Sequence, residues 1–248
     1  MAHLLRHLIR HPLRALFAAA CVATACAQDN PGRPQPVTVA VCPLDDSPLW
    51  TSLHLLPIDN RPPVKISLRG NQRSAPVRLT RPQETIVLGV PRPDPESGEI
   101  TYVPVVKTPW PAGASQVLIV LAPGTPVRAA AFDDGPETFP VRSVRVFNAT
   151  GVPLLGRIDD FQGDIPPGIS DSHPYTVASD NPNQIGTFPM AFATQDAQGG
   201  RLLTESPGEA WPYGRSLIVL QPPAPGATDV RMHIIVDAPP PPKPAANP

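Results

Sequence analysis

The chain is predicted to be all-β, with immunoglobulin-like β-sandwich units, two in tandem, and a disordered proline-rich C-terminal tail. Three observations carry that prediction. Short apolar or alternating runs recur along the sequence, with no sustained 3.6-residue apolar period between them. In 248 residues there are 38 prolines and 17 glycines, and outside the tail they punctuate the runs rather than forming tracts. Finally, WPAGASQVLIVLAP (110–123) returns as WPYGRSLIVLQP (211–222), with Trp110 and Trp211 101 residues apart, about the length of an immunoglobulin-like unit.

The first segment reads as an export signal. Arg6, Arg10 and Arg14 precede an eleven-residue apolar run (15–25), and small residues follow. A spanning helix needs about twenty apolar residues, so this run is too short to serve as one. Cleavage before Gln28 fits the small residues Ala25 and Ala27. Lipidation of Cys26, which ends a lipobox-like ATAC, is the competing route and would tether the chain to a membrane. No transmembrane span is expected in the mature chain, which is predicted to be periplasmic or extracellular.

Strands are predicted over 35–42, 64–68, 84–90, 99–106, 115–122, 125–132, 143–150, 152–158, 175–179, 186–194, 201–205, 216–221 and 229–237. VKISL (64–68) and SVRVF (143–147) alternate, which predicts one solvated face. VLIVL and LIVL are continuous apolar runs, which predicts strands covered on both faces. Each is followed by a Pro/Gly loop, a further strand and an acidic end (DD at 133–134, D at 237). The repeat thus reads as the corresponding buried strand of two related units. The predicted organisation is a signal peptide (1–27), a linker (28–34), sandwich unit 1 (35–132), sandwich unit 2 (133–238) and the tail (239–248). The alternative is one larger sandwich with two equivalent hairpins.

Phe139, Pro140, Ser143, Arg145, Asn148, Thr150 and Gly151, with Pro167-Gly168, form an F-P-x-x-S-x-R-x-x-N-x-T-G stretch and a later P-G. They follow the apolar Val117–Leu121 segment and the turn Asp133–Pro136. This pattern resembles a family of secreted β-rich proteins of Verrucomicrobia-like bacteria, over about half the chain. The resemblance implies a β-sandwich envelope protein and assigns no activity.

Removing the leader takes away three arginines and no acid, leaving 17 basic against 21 acidic residues and a net charge of −4. Nucleic acid is therefore not expected as a partner, because it calls for a basic patch. Cys42 is the one cysteine outside 1–27, so no internal disulfide is available; its strand context marks it as a small buried residue. His54, His173 and His233 sit in separate segments without metal-ligand spacing, and neither a G-x-S-x-G elbow nor a phosphate loop occurs. The doublets Asp45-Asp46, Asp133-Asp134 and Asp159-Asp160 fall at strand ends, where Asp caps turns. Asp159, Asp160 and Asp164 are the first candidates for calcium, though they lack EF-hand spacing. Neither catalytic nor cofactor-binding residues are assigned. The expected function is a non-catalytic secreted or cell-envelope protein with a binding or assembly role, its partner an envelope protein or a glycan. The alternatives are a secreted polysaccharide hydrolase using loop carboxylates and a ligand-binding lipoprotein.

Overall fold

The computed structural model describes residues 36–57, 61–80, 85–181, 184–196, 199–224 and 226–238. The leader, Cys26 and the proline-rich tail lie outside them. The described residues contain β-strands and one short 3-10 turn (Pro48–Ser52), and no α-helix. No helix among them is long and apolar enough to cross a membrane.

The first half contributes β1 (Pro36–Pro43), β2 (His54–Leu56), β3 (Val64–Lys65), β4 (Val77–Thr80), β5 (Thr85–Pro93), β6 (Ile100–Pro109), β7 (Gln116–Ala122) and β8 (Arg128–Asp133). The second contributes β9 (Ser143–Asn148), β10 (Leu154–Ile158), β11 (Phe161–Ile165), β12 (Gly168–Ile169) and β13 (His173–Pro174). It continues with β14 (Gly186–Asp196), β15 (Gly199–Ala210), β16 (Arg215–Gln221) and β17 (Arg231–Asp237). Four sheets result, in the orders β3-β2-β5-β6, β4-β1-β7-β8, β12-β9-β16-β17 (with β13 also on β9) and β11-β10-β14-β15.

The two middle orders match with β13, which pairs with β9 as β4 pairs with β1, standing for β4. β1 runs parallel to β7, and β9 parallel to β16, while β8 and β17 pair antiparallel to those partners. The two outer orders match as well, each centred on a long hairpin, β5–β6 or β14–β15, that carries a register shift (at Leu88/Gly89 and Phe192/Ala193) and ends just before a WP turn. A Cβ at Gly89 would stand 2.7 Å from Leu56 Cδ1 and 2.9 Å from Val103 O, so the first shift requires glycine. The match extends upstream of the two tryptophans, where the sequences do not align. Ser74 donates its N–H to Val41 O and accepts the Val41 N–H on Oγ; Ser170 does the same with Val146.

Side-chain alternation stacks the sheets in four layers. Val117, Ile119 and Leu121 of β7 pack with Val37, Val39 and Val41 against Leu55, Ile86 and Leu88 of the first outer sheet. Ile218 and Leu220 of β16 pack with Val144 and Val146 against Leu154, Ile158 and Met190 of the second outer sheet. The remaining faces meet each other: Leu118, Val120 and Phe132 against Leu217, Val219 and Ile235. VLIVL and LIVL are thus covered on both faces, because each lies in an inner layer. Cys42 is buried in this middle core, and burial pushes its thiol up to about 12.

Three predicted strands differ. SVRVF has no solvated face: Arg145 is buried, because the loop between the halves covers that side of β9. The 64–68 run alternates as expected but is strand only over Val64–Lys65, with one further backbone bond from Ile66 N to Leu53 O. The 175–179 run is not a strand, because the Thr176 N–H goes to the Asp159 carboxylate at 2.7 Å instead of to a neighbouring strand.

Candidate functional site

Most of the residues singled out by sequence have structural work. Asp45 accepts from Trp50 Nε1 at 2.7 Å, Asp46 accepts from Gly70 N at 2.7 Å, and Asp133 accepts from Gly135 N (3.0 Å) and Thr138 Oγ1 (2.6 Å). Asp159 and Asp160 form the β10–β11 turn, while Asp164 lies further along β11, opposite Leu155. The Asp159 carboxylate holds Thr176, and the fold does not draw the three side chains into one cluster. Asn148 of the N-A-T sequence is buried; its amide donates to Val152 O (2.8 Å) and Ile165 O (3.0 Å), securing the strand-to-turn transition.

The histidines stay apart. His54 packs edge-on against Tyr102, with ring centroids 5.0 Å apart. His173 stacks on Phe161 at 3.9 Å, and burial lowers its pKa. His233 Nδ1 lies 2.9 Å from Asn71 Oδ1, joining the halves; burial lowers its pKa as well, assisted by Arg231 and opposed by Asp45. Trp50, Trp110 and Tyr175 are buried.

The largest charged cluster also joins the halves. Arg73 and Arg215 each pair with both Asp134 and Asp237; Arg215 reaches Asp134 Oδ2 at 3.2 Å and Asp237 Oδ2 at 2.9 Å. Arg215 also donates to the Asp134 and Phe139 carbonyls and lies 4.7 Å from the Phe139 ring centroid. Burial raises the Asp134 pKa, while Arg73 and Arg215 pull it down. Asp134 directly follows β8 and Asp237 ends the matching strand β17, so the four charges form a clasp at equivalent ends of the two inner sheets. Removing one partner of such a cluster leaves the remaining charge uncompensated, which is where its energetic weight lies.

An opening lies at the edge of the first half. Leu55, Val64, Leu79 and Ile86 line an apolar groove of about 160 Å³, with Arg61 donating to Thr80 Oγ1 at its rim. The shared L-I-V-L aligns the halves: Leu118 pairs with Ala40 and Leu217 with Arg145, so Val39 corresponds to Val144. Val39 pairs with Val77, and Val144 with His173. Two residues on, Leu79 corresponds to Tyr175. In the second half those two positions are aromatic. Tyr175 stacks on Phe188 at 5.0 Å and donates to the Gly214 carbonyl at 2.9 Å, while His173 covers Phe161. In the first half the smaller Leu79 lines the groove. The sequence reading missed it, because Leu79 carries no motif.

No family model matches the chain, and no curated protein matches it significantly.

Proposed function

We propose that the chain is an exported, non-catalytic cell-envelope protein of two tandem immunoglobulin-like sandwich units, with a binding or assembly role seated in the groove at β3 and β4. The observation that carries this reading is the difference between the halves: an apolar opening lined by Leu79 in the first stands where the second places Tyr175. Strands β3 and β4 lie at the edges of their sheets, and an edge beside an apolar groove accepts an extended polypeptide, whose backbone pairs while alternate side chains fill the groove. The partner is therefore an envelope protein, ahead of a glycan. Tandem units are supported by the matching strand orders, and export by the basic-apolar leader.

The test is retention of envelope proteins by the tagged mature chain and by Leu79→Tyr, which rebuilds the aromatic of the second half. A stoichiometric partner on the native chain, reduced at least about tenfold by Leu79→Tyr with an unchanged melting temperature, is the expected result. A native chain that retains nothing sinks the reading.

A further inference from the structure

We propose that the open end of the middle layer is a binding site for a small amphipathic carboxylate. Its apolar body would lie between the two inner sheets, and its head group at Arg128. This site is distinct from the groove at β3 and β4 and does not depend on it.

Three features converge there. First, a half-open cavity of about 260 Å³ lies between the inner sheets, lined by Leu44, Val120, Ala130, Phe147 and Val219, with Ala122 and Ala149 leaving room. An apolar cavity of roughly 150 Å³ accepts benzene, so this one admits an apolar body of about ten non-hydrogen atoms. Second, Gln221 faces this space from β16. It is 3% exposed, and no described residue hydrogen-bonds its carboxamide. The carboxamide is not among the fully buried polar groups left without a partner, so it opens into the cavity, where a ligand oxygen would accept its N–H in place of water. Third, Arg128 opens β8 at the mouth. Its guanidinium is exposed and has no carboxylate partner among the described residues, unlike Arg73 and Arg215.

The chemistry selects the ligand. An apolar wall requires a hydrocarbon or aromatic body, which excludes sugars and phosphosugars. One amide and one guanidinium match the two oxygens of a single carboxylate, with the planar fork at the wet end where the charge stays solvated. The repeat strengthens the reading. Gln221 occupies the position that is Ala122 in the first half, within L-I-V-L-x-P, so a polar side chain stands where the matching strand keeps an apolar one.

The probe is octanoate, titrated by calorimetry into the full mature chain, with 1-octanol as the uncharged comparison. We expect saturable one-to-one binding of octanoate, weaker binding of octanol, and a loss of at least about tenfold in octanoate affinity in Arg128→Gln, an exposed change that spares the fold. Ala130→Phe, which fills the cavity, abolishes binding of both; a melting curve confirms that it folds, and Ala130→Leu replaces it if it does not. Absence of saturable octanoate binding to the native chain overturns the proposal. So does octanoate binding that Arg128→Gln and the filled cavity both leave unchanged.

Discussion

At the scale of single residues, neighbouring aspartates take opposite roles: Asp133 caps a turn through Gly135 and Thr138, while Asp134 turns inward to Arg73 and Arg215. Asp at strand ends was legible as turn capping, since an acidic side chain next to free backbone N–H groups has few other uses. That Asp134 departs from this, turning inward to Arg73 and Arg215, depended on residues 61 and 81 positions away and was not legible. His233 was readable as a hydrogen-bonded strand histidine; its contact with Asn71, 162 positions distant, was not. Its pKa is lowered in the folded chain by burial, so the unfolded chain binds its proton first. Stability tied to this group is present above the ordinary histidine range, near 6.5, and is lost as pH falls from there toward the folded value. We expect the melting temperature to drop between about pH 7.5 and pH 5.5, and His233→Gln to flatten that drop. Thermal scans across this window decide it: equal slopes in both proteins would remove His233 from the account.

At the scale of elements, the long strands were legible and the short ones were not. β7 and β16 announced their double coverage through unbroken apolar runs, because a strand with one wet face would alternate. By contrast β2, β4 and β12 have three, four and two residues, too few for any period, and they exist as strands only through pairing with β5, β1 and β9. Arg145 misled the reading of SVRVF, since an arginine in an alternating strand ordinarily marks the wet face; here its guanidinium donates to the Ser170 and Asp133 carbonyls instead of to water. The double coverage has an energetic consequence. Leu118 and Ile119 are both fully buried, though they face opposite layers. Leu118→Ala should therefore cost about 2–5 kcal/mol, as a core substitution does, rather than the fraction expected of a solvated strand face. Urea unfolding measures it, and a loss below about 1 kcal/mol would contradict burial between the inner sheets.

At the scale of the whole molecule, the four layers share three cores, and the middle one belongs to both halves. Neither half can lose its packing without exposing Leu118, Val120 and Phe132 or Leu217, Val219 and Ile235 to water. One cooperative transition is therefore expected for the two halves together, with calorimetric and van't Hoff enthalpies equal. Two resolved transitions would mean that the middle core adds little. The repeated sentence in the sequence pointed to two related halves, but not to their meeting face to face. The cue was present in the second apolar face of each run, and only the partner's identity was hidden. Of the two openings, the groove rests on one leucine at an unremarked position and the cavity on one glutamine, so neither was legible without the layers.

The middle core carries one more implication. Leu118 meets the layer that holds Leu217, Val120 the one that holds Val219, and Phe132 the one that holds Ile235, and each of these is its own counterpart in the other half. A surface that buries its own equivalent is the mark of an isologous twofold contact, as found between identical subunits. Joined in one polypeptide, such a contact no longer depends on concentration, because association has become intramolecular. It is also released from symmetry: one copy can acquire a glutamine where the other keeps an alanine, or a tyrosine where the other keeps a leucine, without the change appearing twice.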